Sequence, residues 1–366
     1  MTAPRLEFRL DRIGYNARAL VDRLGLIGIR VCGVTKATLG SPEVARELLA
    51  AGVESLGESR VENVECLRQA GISAPIMLIR SPMISQVDRV VAGTELSLNS
   101  ELTVIARLAE SARRQRRPHG IVLMVELGDR REGIMPVDLL ETVQQVLRLP
   151  GVVFRGIGTN LACQNGVIPG VPNMAELSDL ATSVESTFGL ELDIVSGGNS
   201  ANLPWALEPG VDVGRVDHLR LGESVLLGRE PVGSTVIEGL HADAVAVVGE
   251  VIESKAKPSG AWGARGRTAF GHVVDLRPDV AGGSRVIVAL GRQDVDTGGI
   301  VAPDGFDLLG ASSDHLVLSC TGDVPRPGAE LRFGVDHSAL MRAAASPFVS
   351  RRYVGRSTAG TVVARR

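Results

Sequence analysis

Hydrophobic positions in the first two thirds of the chain gather into short β-type runs: Val31–Lys36, Glu54–Gly57, Ile76–Ile79, Glu95–Leu98, Ile121–Glu126, Val153–Ile157, Leu192–Val195 and Leu219–Leu221. Between them lie stretches with the apolar spacing of amphipathic helices, among them Pro42–Ala51, Arg60–Ala70, Ser100–Arg114, Pro136–Leu147 and Asn173–Phe188. The strand runs are nearly continuously apolar, as strands of a parallel sheet covered on both faces must be. Ser41 before Pro42 and Ser100 before Glu101 read as helix N-caps. Eight strand–helix units in succession predict an α/β fold, a closed (β/α)8 barrel of the TIM type.

Past Gly228 the pattern changes. The runs Ala244–Val251, Val286–Leu290, Leu316–Ser319 and Glu330–Phe333 are separated by Gly, Pro and Asp turns, and helical spacing returns only at Ser338–Ala345. A smaller all-β C-terminal domain is therefore expected, dividing the chain into residues 1–230 and 231–366. Lys255–Arg267, rich in Gly, Lys and Arg, reads as a mobile loop.

Composition narrows the function. Apolar residues make up 44% of the chain but aromatics only 3%, so the core is aliphatic and a base-stacking surface is not expected. A net charge of −3 argues against nucleic acid as the main partner. The N-terminus carries charges where a signal peptide needs an apolar run, no segment approaches the ~20 apolar residues of a membrane span, and the four cysteines are scattered. The expectation is a soluble cytoplasmic protein that contacts no membrane. Of its 39 basic residues only Lys36, Lys255 and Lys257 are lysine. A lysine kept in so arginine-rich a chain points to chemistry that arginine cannot do, such as losing its proton and attacking a carbonyl.

Active sites of such barrels lie where the strands end. Strand one ends at Lys36, where desolvation would lower the amine pKa and expose a nucleophile. Strand seven ends in Ser196-Gly197-Gly198-Asn199-Ser200 before the helix-like Ala201–Leu207, and strand eight in Arg220-Leu221-Gly222-Glu223. A Gly-Gly turn and a helix start at these two loops suggest a phosphate cradle, although either could be only a turn. The charged stretch Asp129–Glu132 after strand five could equally be a solvated loop, and Asn160 is a polar group at the mouth without strong meaning alone. A Schiff-base lysine opposite a phosphate cradle implies pyridoxal 5′-phosphate.

The pieces GVTK at Gly33–Lys36, ELGDRREGI at Glu126–Ile134, GIGTNLAC at Gly156–Cys163, VSGGNSANL at Val195–Leu203, LRLGESVLLG at Leu219–Gly228 and SSDH at Ser312–His315 follow one another along nearly the whole chain. In that order they resemble the alanine/ornithine racemase group of barrel-type pyridoxal-phosphate enzymes. The resemblance implies that Lys36 holds the cofactor as a Schiff base. Ser196, Gly197, Gly198, Asn199, Ser200, Gly222 and Glu223 would bind its phosphate. Arg131 would lie near the ring hydroxyl, Asn160 would replace the usual histidine beside the ring, and Arg220 would face the ring nitrogen. A guanidinium there donates a hydrogen bond but keeps its proton, which suits return of a proton to Cα rather than transamination.

Racemisation needs a base on each face, and the tyrosine that such racemases borrow from a partner subunit has no counterpart here, since Gly291-Arg292-Gln293-Asp294 offers arginine. His315, oriented by Asp314, is the candidate second base, though it could equally be a structural histidine. Arg292 is expected to bind the substrate carboxylate. Asp336-His337 resembles the zinc motif of the related D-serine dehydratases and D-threonine aldolases, but Ala339 stands where the second ligand is needed, so no metal is expected. The leading expectation is a homodimeric racemase with shared active sites, acting on ornithine or another basic or small amino acid. The alternatives are a D-amino-acid aldolase or dehydratase, a non-catalytic cofactor-binding protein of homeostasis, and a cofactor-free Schiff-base aldolase.

Overall fold

The computed structural model describes residues 2–258, 263–264, 266–267, 270 and 284–355. Strand β1 (Arg5–Arg9) opens the chain. The next eight are β2 (Arg30–Val34), β3 (Ser55–Glu58), β4 (Ile76–Leu78), β5 (Leu96–Asn99), β6 (His119–Met124), β7 (Val152–Gly158), β8 (Ile194–Gly198) and β9 (His218–Leu221). They pair in sequence order, all parallel, and the ring closes where β9 meets β2, so the closed eight-stranded barrel expected from the pattern is the architecture found. Met77, Leu98, Val122, Met124 and Ile194 from β4, β5, β6 and β8 pack into one buried cluster. Burying an aliphatic side chain of this size stabilises by about 1.5–3 kcal/mol.

The helices follow the expected segments with differences at their starts. Ser41 caps Pro42–Ala50 as anticipated, its Oγ accepting from the Val44 N–H at 3.3 Å. Ser100 does not cap: the helix is Leu102–Gln115, preceded by Glu101 with no side-chain cap bond. The helix expected to begin at Asn173 spans Val171–Phe188. Pro172 fits its first turn, and Asn173 Oδ1 reaches back to the Gly170 N–H at 2.8 Å. Gly156 has φ +153°, and a Cβ there would stand 1.8 Å from the Ile194 carbonyl oxygen, so only glycine lets β7 approach β8 this closely.

A second compact unit consists of β1 and Val245–Val354, and the barrel unit begins at Leu10 and runs to Ala244, with Gly355. In the second unit β10 (Val245–Ala256) pairs antiparallel with β1, with β11 (Ser284–Val288) and, beyond β12 (Ile300–Val301), β13 (Phe306–Ala311) and β14 (Leu316–Cys320) in the chain, with β15 (Glu330–Val335). The last strand, β16 (Ser350–Val354), runs parallel to β1. β15 alternates strictly, burying Leu331, Phe333 and Val335, as a sheet with one covered face requires. The segment expected to be a loop from Lys255 begins as strand, with Lys255 opposite Arg285; residues 259–262 and 265 lie outside the described residues.

Candidate active site

The carboxyl ends of the barrel strands open on one mouth, and Lys36 stands there just beyond β2, half-buried. Its neighbour Thr35 is held twice by the end of β3: the Thr35 N–H donates to the Gly57 carbonyl at 3.1 Å, and its Oγ1 donates to Glu58 Oε1 at 2.6 Å. Glu58 is fully buried, and its other oxygen accepts from Asn63 Nδ2 at 3.0 Å and the Ser59 N–H at 3.2 Å. Burial pushes the Glu58 carboxyl above its ordinary pKa against the pull of those donors. Burial is also the largest influence lowering the Lys36 amine. The positive charges of Arg131 and Arg220 add to it, and Cys163 and Glu58 act the other way. Glu58 was not singled out from the sequence, where it is one of 42 acidic residues.

On β9, the neighbour of β2 in the ring, Arg220 stands opposite Cys32, is 4% exposed and carries a positive charge without a carboxylate partner among its described bonds. Its Nη1 donates to Ser196 Oγ, and its Nη2 to the Thr159 carbonyl at 2.9 Å and to Asn160 Oδ1 at 3.1 Å. Burial drives its pKa down to about 10, which leaves the guanidinium charged near neutrality. Asn199 Nδ2 bridges Asn160 Oδ1 at 3.2 Å and the Leu161 carbonyl at 2.9 Å. Ser200 Oγ lies 3.0 Å from Ser224 Oγ, which joins the end of β8 to the short helix Glu223–Leu227 after Gly222.

The Gly197-Gly198 pair expected as a turn forms the end of β8 itself. The β8–β9 ladder shifts register between Ser196 and Gly198, a bulge that re-aims the strand end. Gly198 takes φ +144°, and a Cβ would collide with Asn202 Oδ1 at 2.2 Å. The helix-like Ala201–Leu207 is a 3₁₀ turn, Ser200–Asn202, followed by Leu203–Ala206.

The Asp129–Glu132 stretch is ordered by carboxylates. Glu126 accepts from the backbone N–H groups of Gly128, Arg130 and Arg131 at 2.6, 2.9 and 3.2 Å. Asp129 is buried and accepts from Cys163, Gln164 and Asn165 N–H groups at 3.2, 2.9 and 3.1 Å, so it ties the loop after β6 to the loop after β7. Arg131 donates to Cys163 Sγ at 2.8 Å and pairs with Glu132.

The candidates of the β unit stand in a different setting. Arg292 is exposed, its guanidinium 4.4 Å from the centroid of the Phe270 ring. His315 is exposed with Nδ1 3.3 Å from Ser312 Oγ. Asp314 does not orient it: the Asp314 carboxylate accepts from Gln293 Nε2 at 2.9 Å, because the turn that carries both residues aims it across to the neighbouring loop. Asp336 Oδ1 caps helix His337–Ala345 through the Ala339 N–H at 2.8 Å. Among the described residues, no group of three or more His, Cys, Asp or Glu is placed to hold a metal ion, and no helix is long and apolar enough to cross a membrane.

Taken together, the mouth offers an amine of lowered basicity, a buried cation facing neutral acceptors, and a glycine-rich strand end. Such a set can capture a carbonyl compound that carries acceptor or anionic groups. Residues 8–230 match the family model described as alanine racemase, N-terminal domain. Over nearly its whole length the chain is similar to the lysine racemase of Thermotoga maritima, 39% identical over 356 residues that cover 96% of this chain and 99% of that one. It is 32% identical to the ornithine racemase of Acetoanaerobium sticklandii, over 95% of this chain and 99% of the relative. Among solved structures, alanine racemase from Streptomyces coelicolor A3(2) superposes with a TM-score of 0.76 over 96% of this chain and 98% of that one, at 21% identity, a likeness of fold.

Proposed function

The chain belongs to the alanine racemase family and is an amino-acid racemase, and from that premise we propose that it interconverts the enantiomers of a basic amino acid of the lysine–ornithine class, using pyridoxal 5′-phosphate at the barrel mouth and working as a homodimer. The observation that carries the reading is the half-buried Lys36 amine, lowered in pKa and flanked by Arg131 and Arg220. The substrate class rests on the two full-length relatives whose names specify lysine and ornithine.

The residues present fit the cofactor. Arg220 is a buried donor whose described partners are all neutral, so it can accommodate an acceptor such as a ring nitrogen. The Ser196–Ser200 strand end, with Gly222 and Glu223, would hold the phosphate. Arg131 would lie near the ring hydroxyl and Asn160 beside the ring. When bound, the cofactor supplies an aldehyde that condenses with amines and a ring that acidifies the Cα–H bond.

Lys36, its amine lowered in pKa by burial, would remove or return the Cα proton on one face. Arg220 keeps its own proton and would donate a hydrogen bond to the ring nitrogen without protonating it, which would favour return of the proton at Cα. His315 would serve the opposite face and Arg292 would bind the substrate carboxylate, both brought by a second copy of the chain. Leu39, Met83, Ile84, Met135, Val137, Ile168 and Val171, all on barrel segments that follow strand ends, are exposed apolar residues and support a covered mouth. The absence of a membrane-crossing helix among the described residues is consistent with a cytoplasmic site of action.

Enantiopure amino acids incubated with the protein in D₂O test both the substrate class and the reaction. Lysine and ornithine should gain Cα deuterium fastest and from either enantiomer. Exchange confined to small neutral amino acids would overturn the substrate assignment. At low substrate, mixing the inactive variant Lys36→Ala with the impaired Arg292→Ala should give more activity than Arg292→Ala alone if sites are shared between copies, and no gain would contradict the shared site.

A further inference from the structure

One buried titratable group near the mouth has no part in this chemistry. Ser196 on β8 and His218 on β9 are direct partners in the parallel ladder, and Ser196 Oγ lies 2.9 Å from His218 Nδ1. Two residues further along β9, on the same face of the strand, Arg220 donates its Nη1 to that same Oγ. Ser196, His218 and Arg220 are 0%, 4% and 4% exposed.

Proton counting fixes the sense of this chain. A guanidinium carries only donors, so Ser196 Oγ is the acceptor of the Arg220 bond. The hydroxyl has a single proton left to give, and its other partner is Nδ1. Giving that proton to Nδ1, the described neighbour able to accept it, requires a lone pair on that nitrogen and puts the imidazole proton on Nε2. A proton on Nδ1 would make the Ser196 oxygen accept from both Arg220 and His218 and leave the hydroxyl's own proton without an acceptor among its described bonds.

We propose that His218 is a positioning residue, a neutral Nε2-protonated imidazole whose Nδ1 lone pair aligns the Ser196 hydroxyl and, through it, the plane of the Arg220 guanidinium. The inference rests on the reading of Arg220 as the group that faces the cofactor ring. The charges that bear on His218 are Arg220 and Arg30, and with burial they push its pKa down to about 3. Arg30 is itself paired with Asp217 at 2.5 Å. At its other end the guanidinium is held by Thr159 and by Asn160, which Asn199 steadies in turn. A plane gripped at both ends resists rotation, and each bond in the Arg–Ser–His series polarises the next.

Two measurements decide the proposal. Nitrogen-15 NMR of the cofactor-free protein, with the His218 signal assigned by its loss in His218→Gln, should find a neutral Nε2–H ring with a hydrogen-bonded Nδ1 throughout the neutral pH range. An Nδ1-protonated or charged ring would overturn the proposal, and this readout needs no variant beyond the one used for assignment. In the loaded enzyme, Ser196→Ala and His218→Leu should each lower kcat about tenfold, the worth of one buried hydrogen bond, with KM within about twofold. The double variant should be no slower than either single one, and His218→Asn, whose Oδ1 can stand in for Nδ1, should recover most of the loss. Multiplying losses, near about a hundredfold together, would overturn the relay. An unchanged kcat in Arg220→Gln would remove the underlying reading of Arg220 and leave the NMR result standing, so the two failures are distinguishable.

Discussion

Two histidines mark the contrast between the barrel mouth and the β unit. His218 is sealed between strands, bonded to Ser196 and held neutral. His315 is exposed on a turn, its ring held by a long 3.3 Å contact from Nδ1 to Ser312 Oγ. The same division separates Arg220, buried and bonded to three residues, from Arg292, exposed and resting over Phe270. Groups at the mouth arrive with their orientation already fixed by neighbouring strand ends, so the cost of ordering them is met during folding. The candidates of the β unit stand exposed on fewer and longer contacts, Arg292 Nε donating to the Ala311 carbonyl at 3.4 Å and His315 Nδ1 lying 3.3 Å from Ser312 Oγ.

Substitutions sharpen this contrast because they should separate activity from stability differently in the two regions. The largest effect is at Lys36: Lys36→Ala should lower racemisation by about 10³-fold or more, on the scale of a lost acid–base group, with no fall in thermal midpoint, since a poorly solvated amine is removed. Arg220→Gln should cost on the order of tenfold to a hundredfold in kcat and also about 1–3 kcal/mol of stability, because Ser196 and Thr159 lose a charged donor. Arg292→Ala should raise the substrate KM about tenfold through the loss of a charge-assisted bond and leave stability within ~0.5 kcal/mol. Steady-state kinetics and thermal melts of the three variants together would break the comparison if Arg292→Ala destabilised or Arg220→Gln did not.

The smallest effect concerns charge alone, and it is read as a pH profile. Trapping of a small aldehyde by Lys36 in cofactor-free protein, fixed with cyanoborohydride, requires the uncharged amine. Arg220 lowers the Lys36 pKa, so Arg220→Gln should move the trapping profile to higher pH. Glu58 raises it, so Glu58→Gln should move the profile to lower pH and speed trapping about threefold below the midpoint. Shifts in the same direction would contradict the electrostatic account of the mouth.

Much of the mouth was legible because a parallel barrel brings every strand end to one side, so finding where the apolar runs stop locates Lys36, Asn160, Ser196 and Arg220 together. Lysine scarcity singled out position 36. Glu58 also sits at a strand end, yet nothing distinguishes it from other acidic residues until its burial is known. His218 stands at the start of a strand, and its role depends on the β8–β9 register that places it beside Ser196, which no local pattern encodes. β1 escaped for a similar reason: its partners on β10 lie some 240 residues away, Arg5 against Val248. The cap expected at Ser100 failed because the helix begins after Glu101, and boundaries of this kind are set by packing as much as by capping chemistry.

The most direct test joins the cofactor to the chain. Protein saturated with pyridoxal 5′-phosphate is reduced with borohydride, digested and analysed by peptide mass spectrometry. The account predicts a single pyridoxyl adduct, on Lys36. An adduct on Lys255 or Lys257, or none on protein that has bound the cofactor, would contradict it.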